Sequence, residues 1–202
     1  MDVAVETPEQ IEHDRPSREE AEHAVRTLLR YLGEDERREG LVDTPRRTIN
    51  ALQDLYSGYD RDADDVLSRT FDDVAGYDDI VVLRDIAVHS HCEHHMLPIT
   101  GSADVAYLPD GRVAGLSKIA QLVDIYARRL QTQETLTAQV ANTLQDALRP
   151  RGVAVFVRAQ HSCMIVRGLR SAGTSTTTSM LTGVFRDDAA ERSRLYDLMK
   201  LR

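Results

Sequence analysis

The chain has 202 residues, enough for one domain with a substantial core and a modest extension. Apolar residues make up 42% and charged residues 29%, the balance of a soluble globular protein. The net charge of -8, from 25 basic and 33 acidic side chains, argues against non-specific nucleic-acid binding but leaves room for an anionic small substrate in a locally basic pocket.

Residues 1–16 are acidic, hold Pro8 and Pro16 and lack periodicity, so they read as a flexible tail. They carry no signal-peptide pattern, and no apolar run along the chain approaches the length of a membrane span, which makes the cytoplasm the expected compartment. Ser17 with Glu20 fits a capping box, and Ala21, Ala24, Val25, Leu28, Leu29 and Leu32 form the apolar stripe of a helix that Gly33 stops. Thr44-Pro45 starts a second helix with Ile49, Leu52, Leu55 and Tyr56 on its apolar face and Gly58 at its end. Together these make an N-terminal helical region over 17–60.

Residues 60–79 are rich in aspartate and predict a connection with one helical turn near Val66 and Leu67. Strands follow over Ile80–His89 and Ala103–Leu108, the second closed by the Pro109-Asp110-Gly111 turn. Two helices are predicted next, Ser117–Leu130 and Glu134–Leu148, the latter with Leu136, Val140, Leu144 and Leu148 at four-residue spacing. Alternating Val153, Val155 and Val157 read as a half-buried strand, with further strands over Met164–Leu169 and Thr177–Phe185 and a polar helix over Glu191–Lys200. The order predicts an α+β fold: an antiparallel sheet with two helices on one face, preceded by N-terminal helices. The hydroxyl run Thr174–Ser179 reads as strand composition.

Chemistry is densest between His89 and His95, where four histidines and Cys92 fall within seven residues. Cys92 and His95 stand in C-x-x-H spacing, which lets a thiolate and an imidazole converge on one ion. The only other cysteine is Cys163, on a predicted strand with His161 two residues earlier on the same face. Cys92, His95 and Cys163 make a Cys2His set, three ligands with a fourth position open, the arrangement of a catalytic zinc. His89 and His91 are rival ligands, and a buried pair of thiols beside surface histidines is the alternative.

The runs Cys92-Glu93-His94-His95, Gly115-Leu116-Ser117-Lys118, Gln131-Thr132-Gln133-Glu134, His161-Ser162-Cys163 and Arg167-Gly168 resemble the GTP cyclohydrolase I family, over roughly residues 17–202 and in that family's order. The resemblance implies a tunnelling-fold catalytic domain over 61–202 and a toroidal homodecamer with active sites between subunits. It implies hydrolysis of GTP at C8 of guanine, giving formate and 7,8-dihydroneopterin triphosphate, with Zn2+ on Cys92, His95 and Cys163 activating water.

By the same resemblance His161 protonates N7, His94 shuttles protons at the ribose, and Ser117 serves the ribose rearrangement. Glu134 reads the guanine edge, with Gln133 beside it. Lys118, Arg167 and Arg47 hold the triphosphate, Arg47 being donated by a neighbouring subunit. Each residue also has a plainer reading: a satisfied core histidine, a glutamate favoured by a helix N-terminus, a capping serine, or a solvated cation. One departure stands out. Three residues after Lys118 the resemblance implies arginine, and here Gln121 stands, which predicts one cation fewer at the triphosphate. Two other classes fit parts of the pattern. A tunnelling-fold nitrile reductase acting on deazaguanine would need a cysteine nucleophile and NADPH rather than zinc. A non-catalytic zinc-binding assembly module would need a fourth protein ligand, His91 or His94.

Overall fold

A computed structural model describes residues 15–68, 70–71, 76–167 and 173–200, so the tail expected over 1–16 lies, apart from Arg15 and Pro16, outside the described residues. The chain divides into two compact units, Met1–Asp54 and Leu55–Arg202.

In the first unit, α1 spans Arg18–Tyr31 and begins on the expected capping box: the Ser17 hydroxyl accepts from the Glu20 amide, and the Glu20 carboxylate accepts from the Ser17 amide at 2.8 Å. Gly33 follows the last turn at φ +87°, a left-handed conformation that ends the helix cheaply only for glycine. The expected apolar stripe is only partly covered: Ala21, Val25 and Leu29 are half-buried, no residue of α1 is fully buried, and Leu28 is 59% exposed. Helix α2, Thr44–Leu55, starts at Thr44-Pro45 as expected. It is Leu55 that ends it, however. Gly58 instead lies inside a 3-10 turn, Ser57–Asp60, of the second unit. Its reason is close approach, since a Cβ at Gly58 would stand 2.0 Å from the Ile125 carbonyl oxygen.

The second unit continues with a helical turn α3 (Ala63–Val66) and β1 (Thr70–Phe71), and then builds a five-stranded sheet from β2 (Val81–Cys92), β3 (Pro98–Leu108), β5 (Leu130–Gln131), β6 (Gly152–His161) and β7 (Thr176–Leu181). The sheet order is β5-β2-β3-β6-β7. All neighbours are antiparallel except β5, which runs parallel to β2. A separate two-residue strand β4 (Val113–Ala114) pairs with β1. The long helices α4 (Leu116–Ala127) and α5 (Gln133–Leu148) share one face of the sheet, as expected. Their Ile119, Leu122, Leu136, Val140 and Leu144 pack with Val88, Val105, Tyr107, Val153 and Val155 in one buried cluster.

Several expectations are corrected. The strand through Val153 is not half-buried: the alternate residue Ala154 is also 0% exposed, packed on the opposite face with Ala106, Leu108, Phe185 and Leu195. That opposite face is closed by two C-terminal helices, α7 (Gly183–Asp187) and α8 (Ala189–Lys200). Phe185 therefore sits on a helix, and β7 stops at Leu181. Leu130 belongs to β5 rather than to α4. The strand expected over Met164–Leu169 is instead a single helical turn, α6 (Ser162–Ile165), in which the Val166 amide donates back to the Ser162 carbonyl at 2.9 Å; residues 168 and 169 lie outside the described residues.

Candidate active site

Cys92 is the last residue of β2, and its backbone makes the turn that follows. Its carbonyl accepts from the amides of His95 at 3.3 Å and Met96 at 2.8 Å, and its own amide donates to the Leu97 carbonyl at 2.9 Å. This winds Cys92–Met96 into one helix-like turn, closed by Met96 at φ +54°, and places the residue three after Cys92 beside it. Cys92 Sγ and His95 Nδ1 are 3.8 Å apart. Cys163 arrives from elsewhere. Strand β6 pairs His161 with Ile99 of β3, three residues beyond that turn, and α6 carries Cys163 back toward it. The expected reason for this approach, His161 and Cys163 on one face of a strand, is thus replaced by a strand end followed by a helical turn.

The ligand atoms of Cys92, His95 and Cys163 all lie within 4.8 Å of one another. Ligands at about 2.3 Å for sulfur and about 2.0–2.1 Å for nitrogen around a tetrahedral zinc stand about 3.6–3.8 Å apart, so the residues fit the ion with little movement. Both cysteines are free thiols. Burial pushes the Cys163 thiol up, the neighbouring Cys92 pushes it further, and the Arg167 guanidinium pulls it down. A pair of thiols held this close resists double ionisation by itself, and a dication between them reverses that balance. Among the described residues these three are the whole metal-competent group.

The rival ligands go elsewhere. His89 is exposed on β2. His91 is buried against the Tyr56 ring, centroids 5.2 Å apart, and burial lowers its pKa. Its Nδ1 and the Ser90 hydroxyl are buried without a partner among the described residues. His94 is exposed, with Nδ1 3.6 Å from Cys92 Sγ.

The segment Gln131–Glu134 divides its work residue by residue. Gln131 pairs with Cys92 across β5 and β2, and its carbonyl accepts the Glu93 amide at 3.1 Å, so it braces the metal turn. Thr132 caps α5, its hydroxyl accepting from the Thr135 amide at 3.1 Å. Gln133 is buried, with its Oε1 2.8 Å from His161 Nε2. Glu134 is exposed in the first turn of α5. Gln133 is thus tied to His161, the N-cap of the turn that carries Cys163, while His94 stands beside the Cys92 sulfur and the Arg167 charge acts on the Cys163 thiol. Ser117 and Lys118 stand apart in the first turn of α4, where Gly115 rather than Ser117 is the N-cap, and no hydrogen bond among the described residues joins them to the cluster. Lys118 Nζ donates to Gln121 Oε1 at 3.2 Å. Arg47 is exposed on α2 and paired with Asp43 at 3.2 Å. Sequence reasoning missed the buried network around Gln133, whose members Thr137 and Thr178 come from α5 and β7.

Comparison with known proteins agrees with this geometry. The family model described as GTP cyclohydrolase I matches residues 21–200. A protein named GTP cyclohydrolase 1 from Sinorhizobium fredii (strain NBRC 101917 / NGR234) is 56% identical over 186 residues, covering 92% of this chain and 91% of its own. Another of that name, from Allorhizobium ampelinum (strain ATCC BAA-846 / DSM 112012 / S4), is 56% identical over 191 residues, covering 95% of each. A crystal structure of the archaeosine synthase QueF-Like in its apo form overlaps 52% of this chain and 93% of that one, at a TM-score of 0.44 and 21% identity, an overlap from which no activity follows. With a near-complete family match and a three-ligand metal cluster at the end of its central hairpin, this chain belongs to the GTP cyclohydrolase I family.

Proposed function

We propose that this chain is a zinc-dependent GTP cyclohydrolase I, which hydrolyses GTP at C8 of guanine and yields formate and 7,8-dihydroneopterin triphosphate, the entry compound of pterin and tetrahydrofolate biosynthesis. The observation that carries the reading is the convergence of the Cys92, His95 and Cys163 ligand atoms in a chain of this family. When bound there, zinc makes water nucleophilic near neutral pH. Side chains of the chain itself supply the rest. His161 donates a proton toward N7, which makes C8 electron-poor. His94, exposed on the same turn, moves protons on the ribose side, and Ser117 serves the rearrangement that closes the new ring.

Lys118, Arg167 and Arg47 hold the triphosphate. No helix among the described residues is long and apolar enough to cross a membrane. We place the enzyme in the cytoplasm, where two free thiols stay reduced. It works as a homo-oligomer, a decamer with its sites between subunits, Arg47 reaching the phosphates of a neighbouring copy. The test is incubation of the purified, zinc-loaded protein with GTP, following formate and the fluorescence of the oxidised pterin. Full zinc occupancy without formate release would overturn the reading; NADPH-dependent nitrile reduction would replace it.

Glu134 is the specificity residue of this proposal. A carboxylate accepts from guanine N1–H and the exocyclic amine together, a pair adenine does not offer. Hydrogen bonds to a charged group are worth about 1.5–3 kcal/mol, so Glu134→Ala should raise KM for GTP roughly tenfold or more. Comparable GTP affinity in that variant would remove the two-point contact.

Gln121 gives a second expectation. Its carbonyl oxygen faces the Lys118 ammonium, so it orients the lysine without adding charge. An arginine there would put a second cation, with a planar fork suited to phosphate, on the same helix turn. Gln121→Arg should therefore lower KM for GTP by about tenfold and make it more salt-dependent. An unchanged KM at low and high salt would mean that position 121 does not act on the phosphates.

A further inference from the structure

The side chain of Gln133 is only 1% exposed, yet it is the most heavily hydrogen-bonded amide near the cluster. Its Nε2 lies 2.9 Å from the Val157 carbonyl, 3.1 Å from the Thr176 carbonyl and 3.2 Å from the Thr178 hydroxyl. Two of these three partners are backbone carbonyls, which only accept, so the amide orientation is not free: a flip would press Oε1 against both of them. The hydroxyls agree in direction. Thr137 donates to the Gln133 carbonyl at 2.7 Å, so Thr178, 2.6 Å from Thr137, donates to it and keeps its own lone pairs for the Gln133 amide. What remains is Oε1, 2.8 Å from His161 Nε2. An amide oxygen can only accept, so that nitrogen must carry the hydrogen.

From this we infer that Gln133 is a positioning residue, which holds His161 as the Nε2–H tautomer and leaves Nδ1 as the nitrogen that exchanges a proton with substrate. The inference rests on the reading of His161 as the proton donor to guanine. It explains why a histidine two residues from Cys163 is no ligand through Nε2: that nitrogen is committed to the amide. Nδ1 has no partner among the described residues. In the proposed step the ring, carrying a second proton on Nδ1 beside the one held at Nε2, passes that second proton to N7 of guanine and is left neutral with its hydrogen on Nε2. The proton shed by water as it adds to C8 restores Nδ1–H, so the ring returns unchanged. The amide also fixes the ring plane. Because its own donors end on β6 and β7 and its backbone starts α5, three elements of the fold set the angle from which the proton is delivered.

The test is solid-state nitrogen NMR of the zinc-loaded, full-length protein labelled on its histidine rings, recorded at rising pH until the neutral-ring signals are seen, with the His161 signals assigned by their loss in His161→Asn. The expected spectrum gives His161 a protonated Nε2 and a bare Nδ1. Gln133→Met should lose that single-tautomer signature, keep zinc, and lower kcat about 10- to 100-fold with KM changed by no more than a few fold, the loss typical of a group that orients a working imidazole. A neutral wild-type ring with its hydrogen on Nδ1 and a bare Nε2 overturns the proposal whether or not the Met variant folds. Turnover of that variant within twofold of wild type overturns it as well. If instead the wild type shows the expected tautomer but releases no formate from GTP, it is the assigned reaction that fails, and with it the role given to Nδ1.

Discussion

Cys163→Ala should lose zinc and GTP turnover together. Three protein ligands converge within 4.8 Å, and removing one leaves a thiolate and an imidazole, too few to hold the ion against dilution. Metal analysis of the purified wild type should give about one zinc per chain, since three ligands and one water complete a tetrahedron. The variant should fall to near none, with formate release lost in parallel. Cys163 is the cleanest of the three positions to change. It is half-buried on a one-turn helix, whereas Cys92 is only 6% exposed at the end of a central strand, where an alanine also leaves a cavity. His95→Ala, at an exposed position, should behave as Cys163→Ala does. Circular dichroism separates metal loss from unfolding. Full zinc occupancy in Cys163→Ala would overturn the ligand set.

His161→Ala should do the opposite at the metal and nearly the same to the rate. The imidazole is bonded to Gln133 rather than aimed at the ion through Nε2, so zinc should stay. GTP recognition is assigned to Glu134 and to the cations, so binding should survive. The rate should not: a positioned general acid contributes about 10²–10⁴-fold, about 3–5.5 kcal/mol of barrier. The decisive measurement is kcat of metal-checked protein beside GTP affinity by equilibrium binding. A rate within a few fold of wild type would remove His161 from the mechanism.

Much of this site could be read from the chain because its signals are local. A C-x-x-H pair lies on one turn, and a capping box names its own helix start, as Ser17 and Glu20 do. The failures share a different cause. Met164–Leu169 looks like a strand because a short apolar run cannot distinguish a strand from a helical turn; the outcome depends on whether Val166 finds a neighbouring strand or its own Ser162. Val153–Val157 looks half-buried because alanine is silent: Ala154 fits either a wet or a dry face, and α7 and α8, some 30 residues on, decide for the dry one. The network around Gln133 is illegible in the sequence, since Val157, Thr176 and Thr178 reach it only across the folded sheet. Thr178 in particular lies in a hydroxyl run whose composition alone says no more than strand.

The two-residue strand β5 has an implication for engineering. Leu130 and Gln131 pair with His91 and Cys92, and two residues later Gln133 must meet His161. The connection between α4 and α5 is thus a gauge of fixed length, gripped at both ends. A single inserted or deleted residue there would either slide the crosspiece past the metal turn or pull the amide away from the imidazole, and no adjustment elsewhere restores both. Grafts, tags and loop exchanges belong at the Asp110-Gly111 turn instead. There the glycine at φ +78° has nothing within 4 Å of the position a side chain would take, although its left-handed backbone still favours glycine itself.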